Sequence, residues 1–189
     1  ELVHWILETV KGRGPLSVLD IGAGSGCIPV ALKKENPELN VTAVDVSPAA
    51  LELARENARR NHADVAFTLL NILDESQWPR LGRFDLIVSN PPYITRAEED
   101  RMGSNVLKYE PGLALFVEGT DPLLFYRKIA ELAGIHLRAG GWLFFELNEF
   151  NAGQVLSIVE AEGFMEAELK QDLSGKERML RSNRSGDSY

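Results

Sequence analysis

The residues with the most distinctive chemistry are Asn90-Pro91-Pro92-Tyr93, which directly follow an apolar run that predicts a buried strand. Each proline fixes its own φ angle, lacks an N–H donor and biases the preceding residue toward extended conformations. Asn90 Oδ1 and the Pro91 carbonyl oxygen are therefore expected to form a fixed pair of hydrogen-bond acceptors. Such a pair suits a planar –NH₂ group with two N–H bonds, on which the Tyr93 ring can stack.

A planar –NH₂ group on an amide or a nucleobase is a poor nucleophile, because its lone pair is delocalised. Two fixed acceptors can orient the nitrogen so that this lone pair points at a methyl donor. The tetrapeptide resembles the [ND]-P-P-[YFW] motif of methyltransferases that modify exocyclic base amines or glutamine side-chain amides. The alternative is a stiff loop with a surface tyrosine and no catalytic role.

A glycine-rich turn provides the second candidate site. Asp20 is followed by Gly22, Gly24 and Gly26, which allow a tight turn and close approach of a ligand to the next helix. The last glycine of the dinucleotide fingerprint G-x-G-x-x-G is replaced by Cys27. The spacing instead resembles the first motif of class I S-adenosylmethionine-dependent methyltransferases, whose cofactor carries an ammonium and a sulfonium that suit Asp20. The alternative is a strand-to-helix turn with no ligand.

Asp45 ends the second predicted strand, where a carboxylate can accept both hydroxyl groups of a ribose. The alternative is that Asp45 caps the following helix. Ser47 is the predicted N-cap of that helix, and Pro48 is suited to its first position. We therefore expect Asp45 to be free for a ligand.

Composition indicates an ordinary soluble globular protein of 189 residues, with 44% hydrophobic and 25% charged residues. The formal net charge of −8 argues against a broad nucleic-acid-binding surface. Cys27 is the only cysteine, which excludes an internal disulfide and suits a reducing cytoplasm; we expect it to be a small buried filler. The three histidines lack metal-ligand spacing. There is no signal peptide and no apolar run of membrane-spanning length, so no membrane association is expected.

Strands and helices alternate along the chain, and the early strands are apolar throughout, which is typical of a parallel sheet covered on both faces. In such sheets ligands bind beyond the carboxyl ends of the strands, where all three motifs fall. Residues 90–120 are predicted to form a long loop. We expect Thr120 or Asp121 to cap the helix after this loop, and Gly140 and Gly141 to end it. The predicted helices are 1–10, 27–35, 47–61, 121–137 and 151–162, and the strands are 16–21, 40–46, 65–70, 84–89, 142–147, 164–170 and 177–182.

More of the chain resembles one family, the protein-(glutamine-N5) methyltransferases of the HemK/PrmC type, which modify peptide-chain release factors. The resemblance covers nearly all of residues 1–183. It implies an α/β fold of the class I, Rossmann-like kind, with a mostly parallel sheet, an antiparallel strand near the C-terminus and helices on both faces. The segments that carry it are LDIGAGSGCIPVALKKENP, VTAVDVSPAALELARENARRN, FDLIVSNPPYI, YEPGLALFVEGTDPLLFYRKI, GGWLFFEL and DLSGKERML.

The resemblance implies methyl transfer from S-adenosyl-L-methionine to the glutamine amide of the Gly-Gly-Gln motif in release factors. The alternative is an amino-methyltransferase that acts on adenine or cytosine in nucleic acid. The catalytic residues would be Asn90, Pro91 and Tyr93, and no metal is expected. The cofactor site would contain Asp20, Gly22, Gly24, Gly26, Asp45, Val46, Asn71, Ile72 and Asn90. The substrate site would contain Asn90, Pro91, Pro92, Tyr93 and Glu110.

The chain departs from the family pattern at two places. The family usually has an acid near the adenine after the third strand, and Asn71 occupies that position here. Residues 1–183 are expected to form the catalytic domain and residues 184–189 a polar tail, without the family's small N-terminal helical domain. The resemblance also implies a cytoplasmic monomer that acts on release factors, with no direct nucleic-acid partner.

Overall fold

The structure is a computed structural model that describes residues 1–92, 94–95, 116–117 and 121–186. Within these residues, no helix has the length and apolar character needed to cross a membrane. The α-helices are α1 (Leu2–Thr9), α2 (Cys27–Glu35), α3 (Pro48–Arg60), α4 (Leu124–His136) and α5 (Ala152–Ala161). The strands are β1 (Ser17–Ile21), β2 (Asn40–Asp45), β3 (Val65–Leu69), β4 (Phe84–Ser89), β5 (Ile94–Thr95), β6 (Phe116–Val117), β7 (Leu137–Glu146), β8 (Phe164–Gln171) and β9 (Glu177–Arg184). The described residues also include two short 3₁₀ helices, Glu75–Arg80 and Glu149–Asn151.

Seven strands form one sheet in the order β3-β2-β1-β4-β7-β9-β8, and β5 pairs with β6 separately. All neighbours in the large sheet are parallel except β9, which is antiparallel to both β7 and β8. This arrangement confirms the predicted fold class. The chain moves outward from β1 to β3 and then returns to place β4 on the other side of β1. A crevice for a ligand is expected at such a reversal, beyond the carboxyl ends of β1 and β4.

Successive residues of the central strands point to opposite faces of the sheet, and a separate core cluster covers each face. One core cluster contains Leu19, Ile87 and Phe145, together with Tyr126 of α4 and Val155 of α5. The other contains Val18, Leu86 and Phe144, together with Trp5 of α1 and Leu32 of α2. The rings of Trp5 and Phe144 meet edge to face at 5.8 Å, and those of Tyr126 and Phe145 do so at 5.2 Å.

The amino ends of β1, β4 and β7 are joined by the Asp85 carboxylate. Its Oδ2 accepts hydrogen bonds from the Ser17 backbone N–H at 2.8 Å, the Ser17 hydroxyl at 2.7 Å and Arg138 Nη1 at 2.8 Å. Burial raises the pKa of Asp85, but these hydrogen bonds and the Arg138 charge outweigh it, so the pKa lies below its ordinary value. Three strands are thereby fixed at the edge opposite the ligand crevice.

The prediction that Gly140 and Gly141 end the fourth helix is wrong. The helix α4 ends at His136, β7 begins at Leu137, and both glycines lie within β7 where its register with β4 shifts. Gly140 has a φ of +73°. A Cβ atom on Gly141 would lie 2.9 Å from the Arg138 carbonyl oxygen and 3.0 Å from that of Asp85. The glycines are therefore required by a bulge in a strand.

Replacing Gly141 with alanine should lower the free energy of unfolding by about 1–3 kcal/mol, because the new methyl group meets two backbone oxygens that cannot move aside. The matched control is Gly134→Ala in α4, where nothing lies within 4 Å of the new atom. That change should be neutral or stabilise by up to about 1 kcal/mol. Urea denaturation measures both, and equal effects of the two substitutions would contradict this account of the bulge.

Candidate active site

The glycine-rich turn joins β1 to α2 at the carboxyl edge of the sheet. All three of its glycines have positive φ angles: 79° at Gly22, 52° at Gly24 and 82° at Gly26. A Cβ atom on Gly26 would lie 3.0 Å from the Cβ of Ala54 in α3, so this position also requires a residue without a side chain. Asn57 of α3 donates to the Ser25 carbonyl at 2.9 Å. The turn is thus fixed against α3.

Asp45 at the end of β2 organises this turn. Its Oδ2 accepts from the Gly24 N–H and its Oδ1 from the Ser47 N–H, both at 2.8 Å. Ser47 is the N-cap of α3, as predicted, and accepts from the Ala50 N–H at 3.2 Å. Asp45 thus makes local hydrogen bonds in addition to the ligand role predicted for it from the sequence. An ionised carboxylate has about four acceptor positions, so Asp45 can still accept from a ligand while it makes these two bonds.

Asp20 is the most unusual carboxyl group of the site. It is 1% exposed, and among the described residues neither of its oxygens has a hydrogen-bond partner. Burial, together with the charge of Asp45, raises the pKa of Asp20 from 3.8 to about 8. A buried polar group with no partner is costly and uncommon in native proteins. An orphaned carboxyl group beside a glycine-rich turn therefore indicates a ligand that supplies hydrogen-bond donors or positive charge.

Ser89 connects the end of β4 to the glycine-rich turn. Its buried hydroxyl donates to the Ile21 carbonyl at 2.6 Å, and the two residues pair directly in the sheet. Asn90 and Pro91 therefore follow directly after a residue that is bonded to the start of the glycine-rich turn. Asn90 is exposed and Pro91 is buried. Ser89 is not among the residues predicted from the sequence, although a serine at the end of an apolar strand is suited to a hydrogen bond of this kind. Pro92 is half-buried, and the predicted residues Tyr93 and Glu110 lie outside the described part of the chain.

Asn71 follows β3 on the other side of the glycine-rich turn. Its side-chain Oδ1 accepts from the Leu73 N–H at 3.0 Å, and its own N–H donates to Gln77 Oε1 at 3.1 Å. The oxygen of the amide is thus directed at the backbone, and the amide nitrogen is the group suited to a ligand. A carboxylate at this position would offer an acceptor, whereas Asn71 offers a donor.

The neighbours of these polar residues differ in exposure. Val46, directly after β2, and Leu73, in the segment that follows β3, are exposed apolar side chains. The Ile72 side chain packs in the core, and the Ile72 carbonyl accepts from Trp78 Nε1 at 2.9 Å. Ile72 can therefore contact a ligand through its backbone N–H rather than through its side chain.

Two further residues discussed in the sequence analysis, a cysteine and a histidine, are not part of the candidate site. Cys27 is exposed at the start of α2, with its Sγ 3.2 Å from Ser25 Oγ, so the expectation of a buried filler is wrong. His136 is buried, with its Nδ1 2.8 Å from the Gly82 carbonyl oxygen, which is a structural role. Across the described residues, no group of three or more His, Cys, Asp or Glu side chains could hold a metal ion.

Comparisons with known proteins agree with this geometry. The family model described as "Methyltransferase small domain" matches residues 4–110. The chain is 44% identical over 186 residues to the release factor glutamine methyltransferase of Flavobacterium psychrophilum, and 42% identical over 184 residues to that of Bacteroides thetaiotaomicron. Each match covers 97% of this chain and 65% of the relative. The chain therefore spans somewhat less than two thirds of the length of these relatives.

Solved structures show the same architecture. The release-factor-specific protein-(glutamine-N5) methyltransferase from Alicyclobacillus acidocaldarius aligns with a TM-score of 0.59 and 26% identity, over 97% of this chain and 90% of that one. A methyltransferase from Pyrococcus furiosus aligns with a TM-score of 0.67 and 22% identity, over 96% of this chain and 81% of that one, and shows likeness of fold.

Proposed function

We propose a function from the premise that this chain belongs to the methyltransferase small domain family, whose model matches more than half of it. The chain transfers a methyl group from S-adenosyl-L-methionine to the side-chain amide nitrogen of the glutamine in the Gly-Gly-Gln motif of peptide-chain release factors. The names of its relatives support this substrate. The observation that carries the proposal is the Ser89–Ile21 hydrogen bond, which holds Asn90 and Pro91 beside the glycine-rich turn.

The chemistry of the turn fits the proposed cofactor. S-adenosyl-L-methionine supplies an activated methyl group on a sulfonium, and it also carries an ammonium group. Asp20 is buried and has no partner among the described residues, so an ammonium nearby would stabilise its ionised form. Gly22, Gly24 and Gly26 let the cofactor approach the backbone closely.

The nucleoside end of the cofactor would lie over β2 and β3. Asp45 accepts the ribose hydroxyls with the lone pairs that its bonds to Gly24 and Ser47 leave available. Asn71 donates from its amide nitrogen to the base, and the Ile72 backbone N–H lies on the same segment. Val46 contributes an exposed apolar side chain against the flat face of the base.

The acceptor end of the site lies at β4. Asn90 Oδ1 and the Pro91 carbonyl accept the two N–H bonds of the substrate amide, and Pro92 holds this pair of acceptors rigid. Tyr93 and Glu110, both outside the described residues, remain predicted substrate contacts. As the new N–C bond forms, the S–CH₃ bond of the sulfonium would break and S-adenosyl-L-homocysteine would leave. The proton lost by the amide nitrogen would pass to water, directly or along its hydrogen bond to Asn90. Catalysis therefore depends mainly on orientation.

The proposal includes a cytoplasmic enzyme that acts as a monomer, with residues 1–183 as its catalytic domain. The chain's single cysteine suits a reducing compartment. Gel filtration of the purified chain tests the monomer directly, and elution at the size of a dimer would contradict it.

Mass spectrometry of substrates incubated with the chain and S-adenosyl-L-methionine tests the proposed reaction. A folded release factor should gain one methyl group on the glutamine of its Gly-Gly-Gln motif. Replacing either glycine of that motif with valine should block the reaction, because a bulky neighbour would keep the glutamine from entering the crevice. Single-stranded and duplex DNA serve as controls and should remain unmodified. Methyl groups on DNA, with none on the release-factor glutamine, would reject the proposal.

A further inference from the structure

Two large apolar side chains, both C-terminal to the proposed cofactor-binding residues, are almost fully exposed to solvent. Phe150 is 83% exposed and Leu173 is 95% exposed, the highest values among the large hydrophobic residues of the described chain. An isolated exposed leucine is ordinary. Here two such side chains lie on turns that follow β7 and β8, and both turns are at the carboxyl edge of the sheet.

Both turns are held rigid by side-chain hydrogen bonds. Asn148 Oδ1 accepts from the Phe150 N–H at 3.1 Å. Asp172 Oδ1 accepts from the N–H groups of Ser174 and Lys176, at 2.8 Å and 3.1 Å, and the Asp172 N–H donates to the Lys176 carbonyl at 2.8 Å. The Ser174 hydroxyl donates to the same Oδ1 at 2.6 Å, and this bond, with those from the two backbone N–H groups, holds the pKa of Asp172 below its ordinary value. Rigid turns lose little conformational freedom when they bind a partner.

The two turns contact each other and form one surface. Lys176 Nζ lies 2.7 Å from Glu149 Oε1, and the Leu147 N–H donates to the Arg178 carbonyl at 2.8 Å. We call the exposed side chains of Phe150 and Leu173, with the Glu149–Lys176 ion pair between their turns, the apolar edge.

The apolar edge continues from the proposed acceptor site. Ser89, just before Asn90, pairs with Phe145 of β7, and Phe150 follows a few residues later. Neighbouring strands lie about 4.8 Å apart, and β7, β9 and β8 follow β4 in the sheet. The apolar edge therefore lies roughly 5 to 15 Å from β4, measured across the strands. It lies on the side of β4 opposite β1 and β2, which carry Asp20 and Asp45. The edge is therefore positioned for the methyl acceptor rather than for the cofactor.

We infer that the apolar edge docks the folded protein whose glutamine is methylated, by contact with apolar side chains that flank the glutamine loop. The inference rests on the proposed function. A Gly-Gly-Gln tip has little surface of its own, so affinity for a folded substrate must come from contacts outside the tip. Rigid, exposed aromatic and aliphatic anchors at the rim of a crevice are suited to this role. The formal net charge of −8 favours a protein partner over a polyanion.

Steady-state kinetics of a double variant, Phe150→Ser with Leu173→Ser, test the inference with release factor as the varied substrate. The KM for release factor should rise by roughly tenfold or more, because two apolar contacts are lost. The kcat at saturating release factor and the Kd for S-adenosyl-L-methionine should stay within about twofold, because Asn90 and Asp20 are unchanged. Both side chains are exposed, so the melting temperature should also be unchanged.

Met165→Ser is the matched control, because Met165 is also exposed but lies at the start of β8, at the opposite edge of the sheet. This variant should leave KM unchanged. The inference is overturned if the double variant keeps the wild-type KM, if Met165→Ser raises KM equally, or if kcat falls while KM does not change. A change in oligomeric state of the double variant would identify a second copy as the occupant and would also overturn it. A wild-type chain that leaves release factor unmethylated would instead reject the proposed function.

Discussion

Replacing Asn90 with alanine should lower kcat by about a hundredfold to a thousandfold or more, while the affinity for S-adenosyl-L-methionine changes by less than about threefold. Asn90 follows β4 and would accept a hydrogen bond from the substrate amide. The carboxyl group proposed to bind the cofactor is Asp20, on a different strand, β1, so the alanine substitution leaves it unchanged. The loss of one of two acceptors lets the amide rotate, so its lone pair no longer points at the methyl group. Single-turnover kinetics with labelled cofactor measure the rate, and calorimetry measures the affinity.

The conservative control is Asn90→Asp, which keeps an acceptor oxygen in the same position. It should retain clearly more activity than Asn90→Ala. Near-normal turnover by the alanine variant would remove Asn90 from the mechanism. A parallel loss of cofactor affinity would show that Asn90 acts by supporting the cofactor site instead.

Replacing Asp20 with asparagine should have opposite effects on stability and on cofactor binding. The folded-state pKa of Asp20 is about 8, above its ordinary value of 3.8. Between these two pH values the folded protein holds a proton that the unfolded chain has lost, so this group makes the free energy of unfolding fall as pH rises. Asparagine carries no charge, so the Asp20→Asn variant should lose this part of the pH dependence and be the more stable protein at pH 8. Its affinity for S-adenosyl-L-methionine should fall by at least about tenfold, because a charge-assisted contact is lost.

Urea denaturation at pH 5 and pH 8 measures the stability effect, and calorimetry measures the affinity. Glu52→Gln removes an exposed carboxylate from α3 and should change neither. In the wild-type protein, cofactor affinity should rise with pH toward 8, and the heat of binding should depend on the ionisation enthalpy of the buffer, because Asp20 releases a proton. If the free energy of unfolding falls equally between pH 5 and pH 8 in the wild type and in Asp20→Asn, the raised pKa of Asp20 is refuted.

Most of the fold follows from the sequence, because its signals are local and agree with one another. Apolar strands that alternate with helices predict a covered parallel sheet, and Ser47 followed by Pro48 marks the start of α3 correctly. The errors lie where tertiary contacts decide. Gly140 and Gly141 are typical of a helix end, but their cause is the close approach of the Asp85 carbonyl oxygen, a residue far away in the sequence. The 3₁₀ helix around Trp78 was not predicted, because it is short and contains Pro79.

The site was predictable in its positions but less so in its internal bonds. The motifs that carry Asp20, Asp45 and Asn90 fall at strand ends, and the structure places β1, β2 and β4 side by side. The bonds of Asp45 to Gly24 and Ser47 could not be inferred, because they depend on how the turn folds back over β2. The prediction that Thr120 or Asp121 caps the fourth helix is wrong, because its N-cap is Leu123. Asp121 accepts from the Leu123 N–H in a turn just before α4, which begins at Leu124.

The position of β9 has a consequence for the order in which the chain assembles during synthesis. β9 follows β8 in sequence but lies between β7 and β8, and β8 joins the large sheet only through β9. Until β9 has left the ribosome, β7 presents an open edge of unpaired backbone groups, which is a template for pairing with other chains. Cooperative folding therefore has to wait for residues 177–184, and nascent chains that stall earlier would depend on chaperones to stay unaggregated.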